Sequence, residues 1–118
     1  MLARWQQEAG QLGYAIAALQ AVNLVQPLDR ELHGRLGDLL LEHGDAPAAL
    51  NEYKVALALD PHDRAAAYFR LARAYQAEGD VAQSRSHLML ALDIAPNYRP
   101  AQRLLLELAR AERDQNLN

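Results

Sequence analysis

The sequence predicts an all-α fold built from antiparallel helix pairs stacked as a solenoid, and three observations carry that expectation. There is no threonine, and valine and isoleucine together number six in 118 residues. Such β-branched residues are what a pleated, half-buried surface packs best, so a sheet would have little to be built from. Alanine and leucine make up more than a third of the chain, and both are strong helix formers. The helix-breaking residues also recur at a fixed interval. Pro27, Pro61 and Pro96 stand 34 and 35 residues apart, and Gly10, Gly44 and Gly79 repeat with the same two steps. Two helices in every 34 or so residues is the pattern of a stacked-repeat protein.

The elements follow from this punctuation. A first helix is expected over 1–9, closed by Gly10, and a second over 12–25, stopped by Pro27. Proline has no N–H to give and clashes with the preceding turn, so a helix ends just before it. Asp29 opens a helix over 30–43, which ends at Gly44, a residue able to take the left-handed conformation of a helix C-terminus. Asp45 is the N-cap of the next, over 46–59, which Pro61 stops. Asp63 opens 65–78, ended by Gly79; Asp80 opens 81–94, ended by Pro96; a last helix runs over 98–115. Apolar residues fall at helical spacing, with Leu32, Leu36, Leu39 and Leu40 forming one stripe and Ala46, Ala49, Leu50, Tyr53 and Leu57 another. The length is that of one ordinary domain.

Composition removes several function classes. Lys and Arg number 12 against 15 Asp and Glu, a net charge of −3, too mild for a protein that binds nucleic acid by neutralising phosphates. With no cysteine there is no thiolate catalysis, disulfide or cysteine-ligated zinc. No apolar run approaches the ~20 residues of a membrane span, and no signal peptide opens the chain. The cytoplasm is therefore the expected compartment by default, with the periplasm as the alternative for a fragment of a longer protein, and no direct membrane insertion is expected. His33, His43, His62 and His87 form no His-x-x-x-His pair, so no metal is expected. His33 fits a packing role, and His43 sits in a last helical turn, where a cation is favourable. Ser84 and Ser86 have no nucleophile elbow around them, no glycine-rich phosphate loop is present, and Asp60 and Asp63 suit helix ends. The expectation is no catalytic residue, no cofactor and no enzyme.

In its middle unit the chain carries Leu36-Gly37, Leu40, Ala49, Tyr53, Ala56 and Pro61; the next has Tyr68, Leu71-Ala72, Tyr75, Gly79, Ser84, Leu88, Ala91 and Pro96. On these residues it resembles the tetratricopeptide repeat. The resemblance implies a right-handed solenoid with a partial repeat at 1–29, repeats at 30–63 and 64–98, and a capping helix and tail over 99–118. The small residues Gly37, Ala49, Ala56, Ala72, Ser84 and Ala91 suit close helix crossings. Ala101, Leu104, Leu105 and Leu108 are the buried side of the capping helix, and Gln102, Leu106, Ala109 and Arg113 its mostly polar far edge.

The resemblance further implies a non-catalytic scaffold that binds a peptide or helix of a partner protein in a groove lined by the first helix of each pair. Carried onto this chain, the lining is Glu31, Gly34, Arg35, Asp38, Leu41 and Glu42, then Ala66, Phe69, Arg70, Arg73 and Gln76, then Arg103, Glu107 and Arg110. Phe69, the only phenylalanine, either anchors a ligand there or packs between helices. Residues 1–60 hold 4 basic and 8 acidic side chains and residues 61–118 hold 8 and 7, so the groove would grade from acidic to basic. Of the residues with which one subclass grips chaperone C-termini, only Arg70 is matched. Gly34 and Asp38 stand where a lysine and an asparagine are needed, which disfavours that ligand. Two alternatives remain open. One is homodimerisation through the N-terminal edge, where Leu2, Trp5 and Leu12 belong to an incomplete unit. The other is a role as the C-terminal repeat region of a larger bacterial enzyme or secretion component.

Overall fold

A computed structural model of the chain describes the backbone of residues 2–25, 30–59 and 61–117 and the side chains of 10–21, 31–59 and 61–116. The helices are α1 (Leu2–Val25), α2 (Arg30–Glu42), α3 (Ala46–Ala58), α4 (Arg64–Ala77), α5 (Val81–Ile94) and α6 (Arg99–Leu117). There is no strand among the described residues, and the fold is an all-α helical repeat. The chain divides into two compact units, Met1–Pro61 with α1 to α3 and His62–Asn118 with α4 to α6.

The turns inside each unit are built alike. Gly44 takes φ +92°, its N–H donates to the Leu41 carbonyl at 3.1 Å, and the Asp45 N–H reaches back to Leu40 at 2.8 Å. At the other turn Gly79 takes φ +83°, with bonds from Gly79 to Gln76 at 2.9 Å and from Asp80 to Tyr75 at 2.9 Å. Both are Schellman closures, which satisfy carbonyls left over at a helix end and need a residue without a β-carbon penalty. The aspartate that follows each glycine starts the next helix. Asp45 Oδ1 accepts from the Ala48 N–H at 3.2 Å and Asp80 Oδ1 from the Gln83 N–H at 3.1 Å, while Asp63 does the same for Ala66 at 3.0 Å. The expected stops and caps at Pro27, Asp29 and Asp60 lie outside the described residues.

The break expected at Gly10 does not occur, and α1 runs through it without interruption. The reason is local. Gly44 and Gly79 are each followed by an aspartate that caps a new helix, whereas Gly10 is followed by Gln11, which offers no such start. A glycine inside a helix costs about 1 kcal/mol against alanine, and that alone does not end a helix.

In the first unit Ile16 of α1 joins Leu32, Leu36 and Leu40 of α2 and Ala49, Leu50, Tyr53 and Ala56 of α3 among the buried residues. On α2 the buried leucines recur every four residues, and on α3 Ala49, Leu50, Tyr53 and Ala56 share one helical face, so each of these helices presents one apolar face. His33 is buried on α2, with Nδ1 2.6 Å from Glu52 Oε2 of α3. The second unit has a core of Ala72, Leu88, Ala91, Ala101, Leu104 and Leu108, with Tyr68, Phe69, Leu92, Tyr98 and Leu105 packed against it. Ser84 is fully buried there, its hydroxyl donating to the Ala72 carbonyl at 2.8 Å. A fully buried leucine such as Leu88 contributes about 2 kcal/mol by leaving water. On the rim, Arg85 of α5 pairs with Glu112 of α6.

Candidate functional site

The second unit holds an open hollow of about 210 Å³ between α4 and α6. Phe69, Arg73 and Gln76 line it from α4, and Pro100, Arg103, Leu104 and Glu107 from α6. On each helix these positions fall at spacings of three and four, which is one face of an α-helix. Arg73, Gln76, Arg103 and Glu107 are exposed, Leu104 is buried, and Phe69 lies between these extremes.

Phe69 is held on two sides. Tyr98 meets it edge to face, with ring centroids 5.8 Å apart at 85°, and the Arg73 guanidinium carbon stands 6.0 Å from its ring centre. It therefore both packs between helices and faces the hollow. Tyr98 sits just before α6, and burial pushes its phenol above the ordinary value of 10.0. The carboxylate of Asp63, the N-cap of α4, adds to that rise, and Arg70 opposes it.

The two lining helices run in the same direction. Short turns at 78–80 and 95–98 each reverse the chain, so α4 and α6 are both antiparallel to α5. The contact of Tyr98 with Phe69, and its proximity to Asp63, put the starts of α4 and α6 at one end. The lining is thus layered along the helix axes. Phe69 and Pro100 form an apolar end, Arg73 and Arg103 a cationic middle, and Gln76 and Glu107 a polar far end.

Of the expected groove residues, Phe69, Arg73, Gln76, Arg103 and Glu107 come together at this hollow. Arg70 is half-buried outside its lining, beside Tyr98. Glu31 and Arg35 are exposed on α2, and Leu41 is half-buried there. Asp38, also on α2, accepts a hydrogen bond of 2.5 Å from the Tyr53 hydroxyl, so it helps join α2 to α3. The side chains of Leu2 and Trp5 lie outside the described residues. Pro100 and Leu104 were not among the expected lining, although their spacing to Arg103 and Glu107 places all four on one helical face. Among the described residues no group of acidic or histidine side chains is arranged to hold a metal, and no helix is long and apolar enough to cross a membrane.

No curated protein matches the sequence. Among solved structures, the first tetratricopeptide-repeat domain of Spaghetti (RPAP3), bound to an HSP90 peptide, superposes with a TM-score of 0.78 at 18% identity, over 92% of this chain and 85% of that one. The type III secretion chaperone SycD of Yersinia enterocolitica, in complex with a peptide of the translocator YopD, gives 0.70 at 22% identity over 98% and 88%. A mutant O-GlcNAc transferase of Thermobaculum terrenum gives 0.74 at 28% identity, over 90% of this chain but 20% of that enzyme. The tetratricopeptide-repeat family matches residues 40–111, which is more than half of the sequence. With its paired helices, its repeated Gly-Asp turns and this match, the chain belongs to the tetratricopeptide-repeat family.

Proposed function

We propose that the chain is a non-catalytic protein-interaction module that holds a peptide or helix of a partner protein, with the hollow between α4 and α6 as the principal grip. The observation that carries this reading is the convergence of Phe69, Arg73, Gln76, Arg103 and Glu107 on one open hollow. Its volume of about 210 Å³ falls short of the ~300 Å³ at which small-molecule sites begin, and suits a side chain or two of a passing segment. No serine, histidine or lysine lines it, so a nucleophile paired with a base is missing from its walls. The peptide-bound states of the Spaghetti domain and of SycD support the same kind of use. On this reading Arg70 of α4 is a further contact for a longer ligand at the hollow, and Glu31, Arg35, Asp38 and Leu41 of α2 are the corresponding contact residues of the first unit taken by itself. Gly34 and Asp38 argue against a chaperone C-terminal carboxylate as that ligand, because Asp38 would repel it.

Random peptides displayed on phage, panned on the immobilised chain and on its Phe69→Ala variant, test the proposal. The expected result is a consensus enriched by the parent and lost by the variant, with helical circular dichroism unchanged. Enrichment no greater than on bare matrix overturns it. A second reading, self-association through Leu2 and Trp5, draws on SycD, which is also known as an alternative dimer. Light scattering over a concentration series decides it, and a dimer that Trp5→Ala dissociates is the supporting outcome.

A further inference from the structure

Resting on the peptide-binding reading, the geometry points to the chemistry of the ligand: a partner segment that presents an apolar side chain to Phe69 and an acidic side chain to Arg73 and Arg103. The layering of the hollow carries this. At the end where α4 and α6 begin, Phe69 is braced by Tyr98, and Pro100 extends the apolar wall. An aromatic ring fixed from behind is a preorganised floor, so an incoming apolar side chain orders little on arrival.

One layer along, Arg73 and Arg103 face the hollow from opposite helices. Arg73 stands over the Phe69 ring, and a guanidinium so placed keeps its planar fork of N–H donors for a carboxylate. With two guanidinium-bearing side chains lining one hollow, an acidic side chain is the complement of that layer. The far layer reverses the sign, because Gln76 and Glu107 supply acceptors that suit an amide or a cation. That reversal argues against a uniformly acidic tail and favours a mixed segment in the order apolar, acidic, then polar or basic. From Phe69 to Arg73 is four helical residues, about 6 Å. The same distance is covered by four residues of a bound helix or about two of an extended strand. The apolar and acidic residues of the ligand therefore stand two to four positions apart.

The test uses a peptide array in which one leucine or phenylalanine is fixed and the residue two to four positions away is varied through Asp, Glu, Asn, Gln, Lys and Arg. The labelled full chain is the probe, beside its Phe69→Ala variant and the double variant Arg73→Glu/Arg103→Glu. Acidic spots are expected to bind at least about tenfold more strongly than their amide counterparts, and the charge-reversed variant is expected to prefer Lys and Arg. Phe69→Ala should weaken every spot. If circular dichroism shows the charge-reversed variant unfolded, Arg73→Gln/Arg103→Gln replaces it and must abolish the acidic preference. Binding that Phe69→Ala removes, but that shows no acidic preference or keeps it after charge reversal, overturns this inference and leaves the peptide-binding reading standing. Spots that bind the chain no better than an unfolded control overturn both.

Discussion

Tyr53 lies so close to Gly37 that a β-carbon there would stand 2.5 Å from Cε1 and 2.6 Å from Cδ1 of the ring. The ring has nowhere to retreat, because Tyr53 is 2% exposed and its hydroxyl is tied to Asp38 at 2.5 Å. Gly37 and Asp38 are neighbours on α2, so one residue admits the ring and the next holds its far end. The helix-weakening effect of a glycine in α2 is offset by the approach it allows.

Gly37→Ala is therefore expected to lower stability by about 1–3 kcal/mol, the cost of forcing atoms into a filled core, despite the better helix propensity of alanine. Urea denaturation measures it directly. Replacing Tyr53 by leucine in the same background should shrink the penalty, since the clash is with the ring; an undiminished penalty would place its cause elsewhere.

The same substitution should have opposite signs at two other glycines. Gly10 lies within α1 with open space where a β-carbon would stand, so Gly10→Ala is expected to stabilise by about 0.5–1 kcal/mol. Gly44 has equally open surroundings but φ +92°, so Gly44→Ala is expected to cost about 1–2 kcal/mol. Thermal melts of the two variants beside the parent would separate the cases, and a destabilised Gly10→Ala would mean that α1 does break where the glycine spacing alone predicts.

These glycines also show what sequence can and cannot reveal. Gly44-Asp45 and Gly79-Asp80 were legible because stop and start are adjacent and each acts through its own backbone. Gly10 misled because the repeat spacing was kept while the cap that gives it meaning was missing. At the site, Phe69, Arg73, Gln76, Arg103 and Glu107 could be named from their place in the repeat. Pro100 and Leu104 were less legible as lining, because Leu104 is also a core residue and Pro100 opens the helix, although the helical period of α6 includes both. The bracing of Phe69 by Tyr98 and the bond from Tyr53 to Asp38 depend on how one helix is set against the next. Residue spacing within a single helix carries no information about that register.

Where two helices cross, small residues should resist enlargement. Ala49 is fully buried on α3, and Ala49→Leu is expected to cost about 1–3 kcal/mol through overpacking. Ser84 holds the corresponding place on α5, with its hydroxyl on the Ala72 carbonyl at 2.8 Å. Ser84→Ala should cost only about 0.5–1.5 kcal/mol, because it removes one hydrogen bond and adds no volume. Guanidinium melts on the pair test the contrast; an Ala49→Leu protein as stable as its parent would show that the crossing has spare room.

The alkaline limb of the stability profile should carry the signature of Tyr98. Its phenol is held above the ordinary value of 10.0, first by burial and then by the nearby Asp63 carboxylate, so the folded state favours the neutral form. A pKa raised on folding gives stability that is fully present below the unfolded value and is lost as pH rises through the folded one. Stability is thus expected to fall as pH climbs past 10, and Tyr98→Phe should remove part of that fall. The variant keeps the ring that packs edge-on against Phe69, so at neutral pH it should stay within about 1 kcal/mol of the parent. The other four tyrosines are common to both proteins, so the difference between the two profiles isolates Tyr98. Urea midpoints measured from neutral pH upward are the readout. Profiles that remain parallel above pH 10 would assign the alkaline loss to other groups, whereas convergence of the less steep Tyr98→Phe profile with that of the parent would assign it to the phenol beside Asp63.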